Sequence, residues 1–184
     1  MSVTSPRERA RRLREAARDD PDAVNPDRVL ELLRYPERSV QRIAAAAFLP
    51  LVTNYPSVGT GAVERIAYLL RQTDPETAAD REAAIEFEQT LLLSLARIAT
   101  VAPESAYTAR EEVLDALADP EGPLAAPASV CLVQFVEADP VSFVAHVDRF
   151  TALLEADDPL VRRNAAHILT QLAGSHPSAV EAAL

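Results

Sequence analysis

Four prolines and four leucines recur along this chain at nearly fixed intervals. Pro56, Pro103, Pro140 and Pro177 stand 47, 37 and 37 residues apart, and Leu33, Leu70, Leu117 and Leu154 stand 37, 47 and 37 apart. Each leucine precedes its proline by 23, 33, 23 and 23 residues, so one period of 37 explains both ladders if the second copy holds ten additional residues. Self-similarity at a period of roughly 20–50 residues marks a stack of repeated supersecondary units, none of which buries its apolar face alone. The units run 24–56, 57–103, 104–140 and 141–177, preceded by 1–23 and followed by 178–184.

Within each unit the apolar spacing predicts two helices. The first helices span 27–34, 61–72, 108–118 and 142–155; the second span about 38–53, 77–100, 124–137 and 160–173. Tyr35-Pro36, Asp74-Pro75, Asp119-Pro120 and Asp158-Pro159 stand between them. Asp before Pro suits such a junction, because proline disfavours helical geometry in the residue before it and the carboxylate accepts from free amides of the next helix. The extra residues fall in 73–86, where Glu76, Asp80, Glu82, Glu86 and Glu88 supply acid without bulk, and are expected to lengthen the second helix by up to three turns. Pro50 and Pro127 each kink or start their helix.

Counted back from the closing proline, the second helices align without gaps. The columns Val40, Phe87, Leu124, Val161; Ala44, Leu91, Ala128, Ala165; Phe48, Leu95, Leu132, Leu169; and Leu51, Ile98, Phe135, Leu172 are all apolar. Steps of 4, 4 and 3 place them on one helix face, the face to be buried.

The last copy runs Asp158-Pro159-Leu160-Val161-Arg162-Arg163-Asn164-Ala165, then Leu169, Leu172 and Ala173, and resembles the second helix of a HEAT repeat. The first copy keeps Pro36, Val40, Arg42 and Ala44; the middle copies keep the Asp-Pro and the apolar columns but carry Gln89 and Ala126 where Arg163 stands. The resemblance covers about 24–177. It implies an all-α, right-handed α-α superhelix of about four helical pairs, with an N-terminal capping helix and a concave wall made of the second helices. It also implies a protein-interaction scaffold, not an enzyme.

Composition agrees with one soluble domain. The chain has 184 residues, 48% hydrophobic, with 28 acidic and 18 basic side chains for a net charge of −10. Only 4 glycines accompany 14 prolines, which disfavours a fold made of tight hairpins. Every basic residue is arginine. Such an acidic, lysine-free composition resembles that of proteins from extreme halophiles; a GC-rich genome favours the same residues. The single thiol, Cys131, lies in an apolar run, fits the core and agrees with a reducing, cytoplasmic location. No apolar signal core follows the N-terminal arginines, and no stretch approaches the roughly 20 apolar residues of a bilayer span.

Catalytic groupings are missing from the pattern. His146, His167 and His176 have no partner at metal-ligand spacing, and no glycine-rich phosphate loop or nucleophile elbow is present. We expect no cofactor and no metal. The expected binding surface is the concave wall, with Ile43, Leu93 and Val130 at its centre and Arg42, Arg97, Gln134, Asn164, His167 and Gln171 around them, suited to a peptide or helical segment of a protein partner. Burial of that wall by strong curvature is the alternative. The N-terminal arginines, Arg7, Arg9, Arg11, Arg12 and Arg14, belong to a solvated capping helix, an anion-binding arm or a disordered tail. Nucleic-acid binding through them is the second functional expectation, opposed by the net charge and by the absence of aromatic residues among them. A structural segment of a longer multi-repeat protein is the third, since 178–184 reads as a truncated cap or as the start of a further helix.

Overall fold

The structure is a computed structural model that describes residues 4–75 and 77–183. Among these, all regular structure is helical. The long helices are α1 (Pro6–Asp19), α3 (Arg38–Asn54), α5 (Arg81–Ala99), α8 (Ala125–Ala138) and α10 (Pro159–Ser175). Between them lie the shorter α2 (Pro26–Leu33), α4 (Val63–Gln72), α6 (Pro103–Ala106), α7 (Arg110–Asp115) and α9 (Val147–Ala152), with α11 (Pro177–Glu181) at the end. The second helices fall where the sequence periodicity sets them. The first helices are less regular: 3-10 segments at Pro56–Ala62 and Tyr107–Ala109 lead into two of them, and Val141–His146 and Leu153–Glu155 flank α9 within what the sequence reads as one helix over 142–155.

One junction recurs five times. Asp20, Tyr55, Ala102, Asp139 and His176 each precede a proline, and all adopt φ between −133° and −152° with ψ between 61° and 88°. The proline ring excludes the helical region for the residue before it. Yet the amide of that residue still closes the helix, donating to the carbonyls of Ala16, Leu51, Ile98, Phe135 and Leu172 at 2.6–2.9 Å. The proline then opens the next short helix or its 3-10 lead, where its missing N–H costs nothing. Pro21 is thus a fifth rung of the ladder, and α1, read from sequence as a solvated cap, ends as a second helix ends.

The long helices pack in chain order: α1 on α3, α3 on α5, α5 on α8 and α8 on α10. One core cluster extends from Ala10 to Val180. The four predicted columns are buried throughout, save Leu124, which caps α8 and is half-buried. Tyr107, Phe135 and Phe143 interlock edge to face, at 5.9 and 5.8 Å between centroids, where the third unit meets the fourth.

Two expectations are corrected. The ten additional residues do not build a three-turn extension: α5 begins at Arg81 and is only slightly longer than α3, and most of the insertion is spent on the 73–80 connection and the links flanking it. Glu76 lies outside the described residues. Of the three Asp-Pro junctions between paired helices, it is at Asp158 that the Asp caps the long helix directly, accepting from the Leu160 amide at 2.7 Å. In the second unit the cap passes from Asp74 to Asp80, which accepts from Ala83; in the third, Asp119 accepts from Glu121 in a turn that precedes α8. Of the two prolines in second helices, Pro127 sits in the first turn of α8, whereas Pro50 is interior to α3 and deletes a hydrogen bond there.

Gly59 is a point of close approach between the first two units. A Cβ there would stand 2.6 Å from Ile98 Cγ1 and 2.7 Å from Val52 Cγ1, both buried. Gly59→Ala is therefore expected to lower stability by about 1–3 kcal/mol through overpacking. Urea unfolding measures this, and unchanged or increased stability would show that α3 and α5 are not seated this closely.

Candidate functional site

Helical periodicity splits the N-terminal arginines into two faces. Arg7 and Arg14, two turns apart on α1, line a groove of about 200 Å³ with Ser39, Arg42, Ile43 and Ala46 of α3 and Glu86, Phe87 and Thr90 of α5. Arg9 and Arg12 face the other way, beside Arg28 and Glu31 of α2. There Arg9 lies 3.6 Å from Glu31 and Arg12 pairs with Glu8 across one turn. Arg11 is exposed. The candidate rim residue Arg42 and the candidate anion contacts Arg7 and Arg14, which the sequence sets in separate regions, are thus brought together.

The rest of the expected surface is placed as follows. Ile43, Leu93, Val130 and Gln134 are half-buried, while Arg97, His167 and Gln171 are exposed. His167 Nε2 meets Glu137 Oε1 at 2.8 Å, tying α10 to α8 at the surface. Asn164 does not belong to a rim. It is 7% exposed, and its Nδ2 donates to Ser129 Oγ at 3.0 Å, while that hydroxyl donates to the Ala126 carbonyl. A buried amide needs such a partner, so Asn164 joins two helices and is not offered to a ligand.

A second cavity, of about 280 Å³, lies between α4, α5, α7 and α8, where Glu88, Glu112 and Asp115 face Arg71 among Leu70, Leu92 and Leu124. Arg71 pairs with Glu112 Oε1. One oxygen each of Glu88 and Glu112 is buried without a hydrogen-bond partner. Among the described residues no three His, Cys, Asp or Glu side chains are grouped to hold a metal, and no helix is long and apolar enough to cross a membrane. Burial pushes the Cys131 thiol far up, which leaves it unreactive.

Glu88 is the carboxyl that sequence reading misses. It stands fifteen residues before its closing proline, as do Gln41 and Arg162. Those two side chains donate to carbonyls at the bend between the paired helices, Gln41 to Tyr35 and Arg162 to Ala156 and Asp157. A carboxylate cannot donate. Burial, reinforced by nearby Asp74 and opposed by Arg38, pushes Glu88 up to about 7 from an ordinary 4.5.

A raised carboxyl pKa means that the folded chain holds a proton that the unfolded chain has lost. The stability contributed by Glu88 is full below about pH 4.5 and falls as pH rises through about 7. Glu88→Gln, which donates without titrating, is expected to add about 1–2 kcal/mol above neutrality and nothing at low pH. Paired denaturation curves across this range read the difference; a constant difference at all pH values would contradict the assignment.

No protein-family model and no curated protein sequence matches the chain. It is similar in structure to two engineered proteins with crystal structures from the Northeast Structural Genomics Consortium. One aligns with a TM-score of 0.76 at 22% identity, over 99% of this chain and 81% of the other. The second aligns with a TM-score of 0.65 at 23% identity, over 96% and 78%. At such identities the likeness is one of fold.

Proposed function

We propose that the chain is a HEAT-like α-solenoid that acts as a non-enzymatic interaction scaffold, holding a peptide or helical segment of a protein partner across the face of its second helices. The observation that carries this reading is the row α1, α3, α5, α8, α10, each packed on the next. On this reading Ile43, Leu93 and Val130, all half-buried on successive second helices, are the apolar centre of that face, and half-buried Arg42 and Gln134 with exposed Arg97, His167 and Gln171 are its border. An extended surface with an apolar centre and a polar border buries a partner's side chains and sets its register by hydrogen bonds.

Leu93→Asp combined with Val130→Asp puts two charges on the centre of the face without touching the fully buried columns. Affinity capture at native salt is expected to lose a specific partner in this variant while circular dichroism still reports native helicity. Capture of the same partner at undiminished yield would move function off this face.

A further inference from the structure

Negative charge dominates this chain, yet one place gathers unpaired positive charge beside an apolar floor. In the groove between α1, α3 and α5, Arg7 and Arg14 stand over Ile43 and Ala46, with Arg42 beside them and Ser39 and Thr90 as neutral polar neighbours. Seven residues of helix set the stems of Arg7 and Arg14 on one face about 10 Å apart. Neither forms an ion pair or side-chain hydrogen bond among the described residues, and Arg42 approaches Asp80 only to 3.9 Å. On the opposite face of the same helix, Arg9 and Arg12 are already answered by Glu31 and Glu8. An unanswered guanidinium beside apolar surface is a ready partner for a carboxylate, which it binds with two parallel hydrogen bonds.

We infer that this end of the groove takes an acidic segment of a protein partner. Two carboxylates about 10 Å apart pair with Arg7 and Arg14, and an apolar side chain between them rests on Ile43 and Ala46. The inference rests on the reading of the second-helix face as a protein-binding surface, and names the chemistry of what binds there. A nucleic acid fits less well. Glu86 lines the groove and Glu15 stands beside Arg14 in the adjoining hollow, where a continuous polyanion meets repulsion. The aromatic ring in the lining, Phe87, is 3% exposed beneath the Arg38 guanidinium, so no base stacks on it.

The test uses fluorescence anisotropy with three labelled probes: a helical peptide with glutamates along one face and leucine beside them, its glutamine counterpart, and an oligothymidylate of equal charge. Each is titrated with the full chain, with Arg7→Gln plus Arg14→Gln, and with Arg9→Gln plus Arg12→Gln. The two double variants change net charge equally on one helix, and all four side chains are exposed, so folding is preserved and circular dichroism verifies it. The glutamate peptide is expected to bind in a salt-sensitive way. Its glutamine counterpart, and the Arg7/Arg14 variant, should each weaken binding about tenfold, while the Arg9/Arg12 variant changes it less than about twofold.

No saturable binding of the glutamate peptide, equal loss in both double variants, or preference for the oligothymidylate would overturn the inference. The same titration with Leu93→Asp plus Val130→Asp separates the two levels. Binding that ignores Arg7 and Arg14 but fails in that variant removes the acidic-segment inference and leaves the face intact. Partner capture indifferent to Leu93 and Val130 removes the broader reading instead.

Discussion

A residue that precedes proline is barred from helical geometry, and here that bar falls at the end of each long helix. The bar alone would leave a frayed terminus. What makes it a building element is that Asp20, Tyr55, Ala102, Asp139 and His176 each still close a hydrogen bond to the carbonyl four residues back while turning the chain into the next proline. The same backbone turn recurs at all five junctions, and the long helices pack in chain order. From α3 onward the long helices bury equivalent columns of residues, and such columns need only be apolar and of compatible size. Phe48 in one unit and Leu95, Leu132 and Leu169 in the others fill equivalent places.

Polar contacts then repeat at about the spacing of the units. Arg65 Nε donates to the Leu33 carbonyl at 2.9 Å, Arg38 Nη2 to the Gln72 carbonyl at 2.8 Å, Gln89 Nε2 to the Pro123 carbonyl at 2.8 Å and Asn164 to Ser129. Several of these satisfy carbonyls at the ends of short helices or in bends, where no backbone partner is available. Glu88 occupies the equivalent of a donor position without a proton to give at high pH, which is the weak point of the second unit. The groove bearing Arg7, Arg14 and Arg42 exists because α1 packs on α3, so the junction at Asp20 and Pro21, which ends α1, bears directly on a basic groove of an acidic chain.

The ladders of leucine and proline make the second helices legible from sequence, because helix period and proline geometry are local properties. The first helices are less so. Their 3-10 segments depend on how closely α3, α5 and α8 approach, as at Gly59, and no local pattern reports that approach. The course of the insertion is likewise tertiary: acidic, alanine-rich residues suit a longer helix by propensity, yet α5 begins only at Arg81. Packing of α1 is hard to read because its buried contacts are Ala10 and Ala17, small residues that allow close approach without marking a stripe. Asn164 reads as a rim residue by spacing, and only Ser129 across the interface reveals it as internal. Gln41, Glu88 and Arg162 form a column by spacing as well, but its meaning needs the carbonyls they face.

The central claim is that stability passes from each long helix to its neighbours in the row, so that removing one end leaves the other in place. Native-state hydrogen exchange on the full chain and on a chain ending at Asp139 tests this most directly. The account predicts that the amides of α1 and α3 remain protected in the shortened chain while those of α8 open, having lost α10. Loss of protection in α1 and α3 together with α8 would mean that the helices depend on one shared centre, and would contradict it.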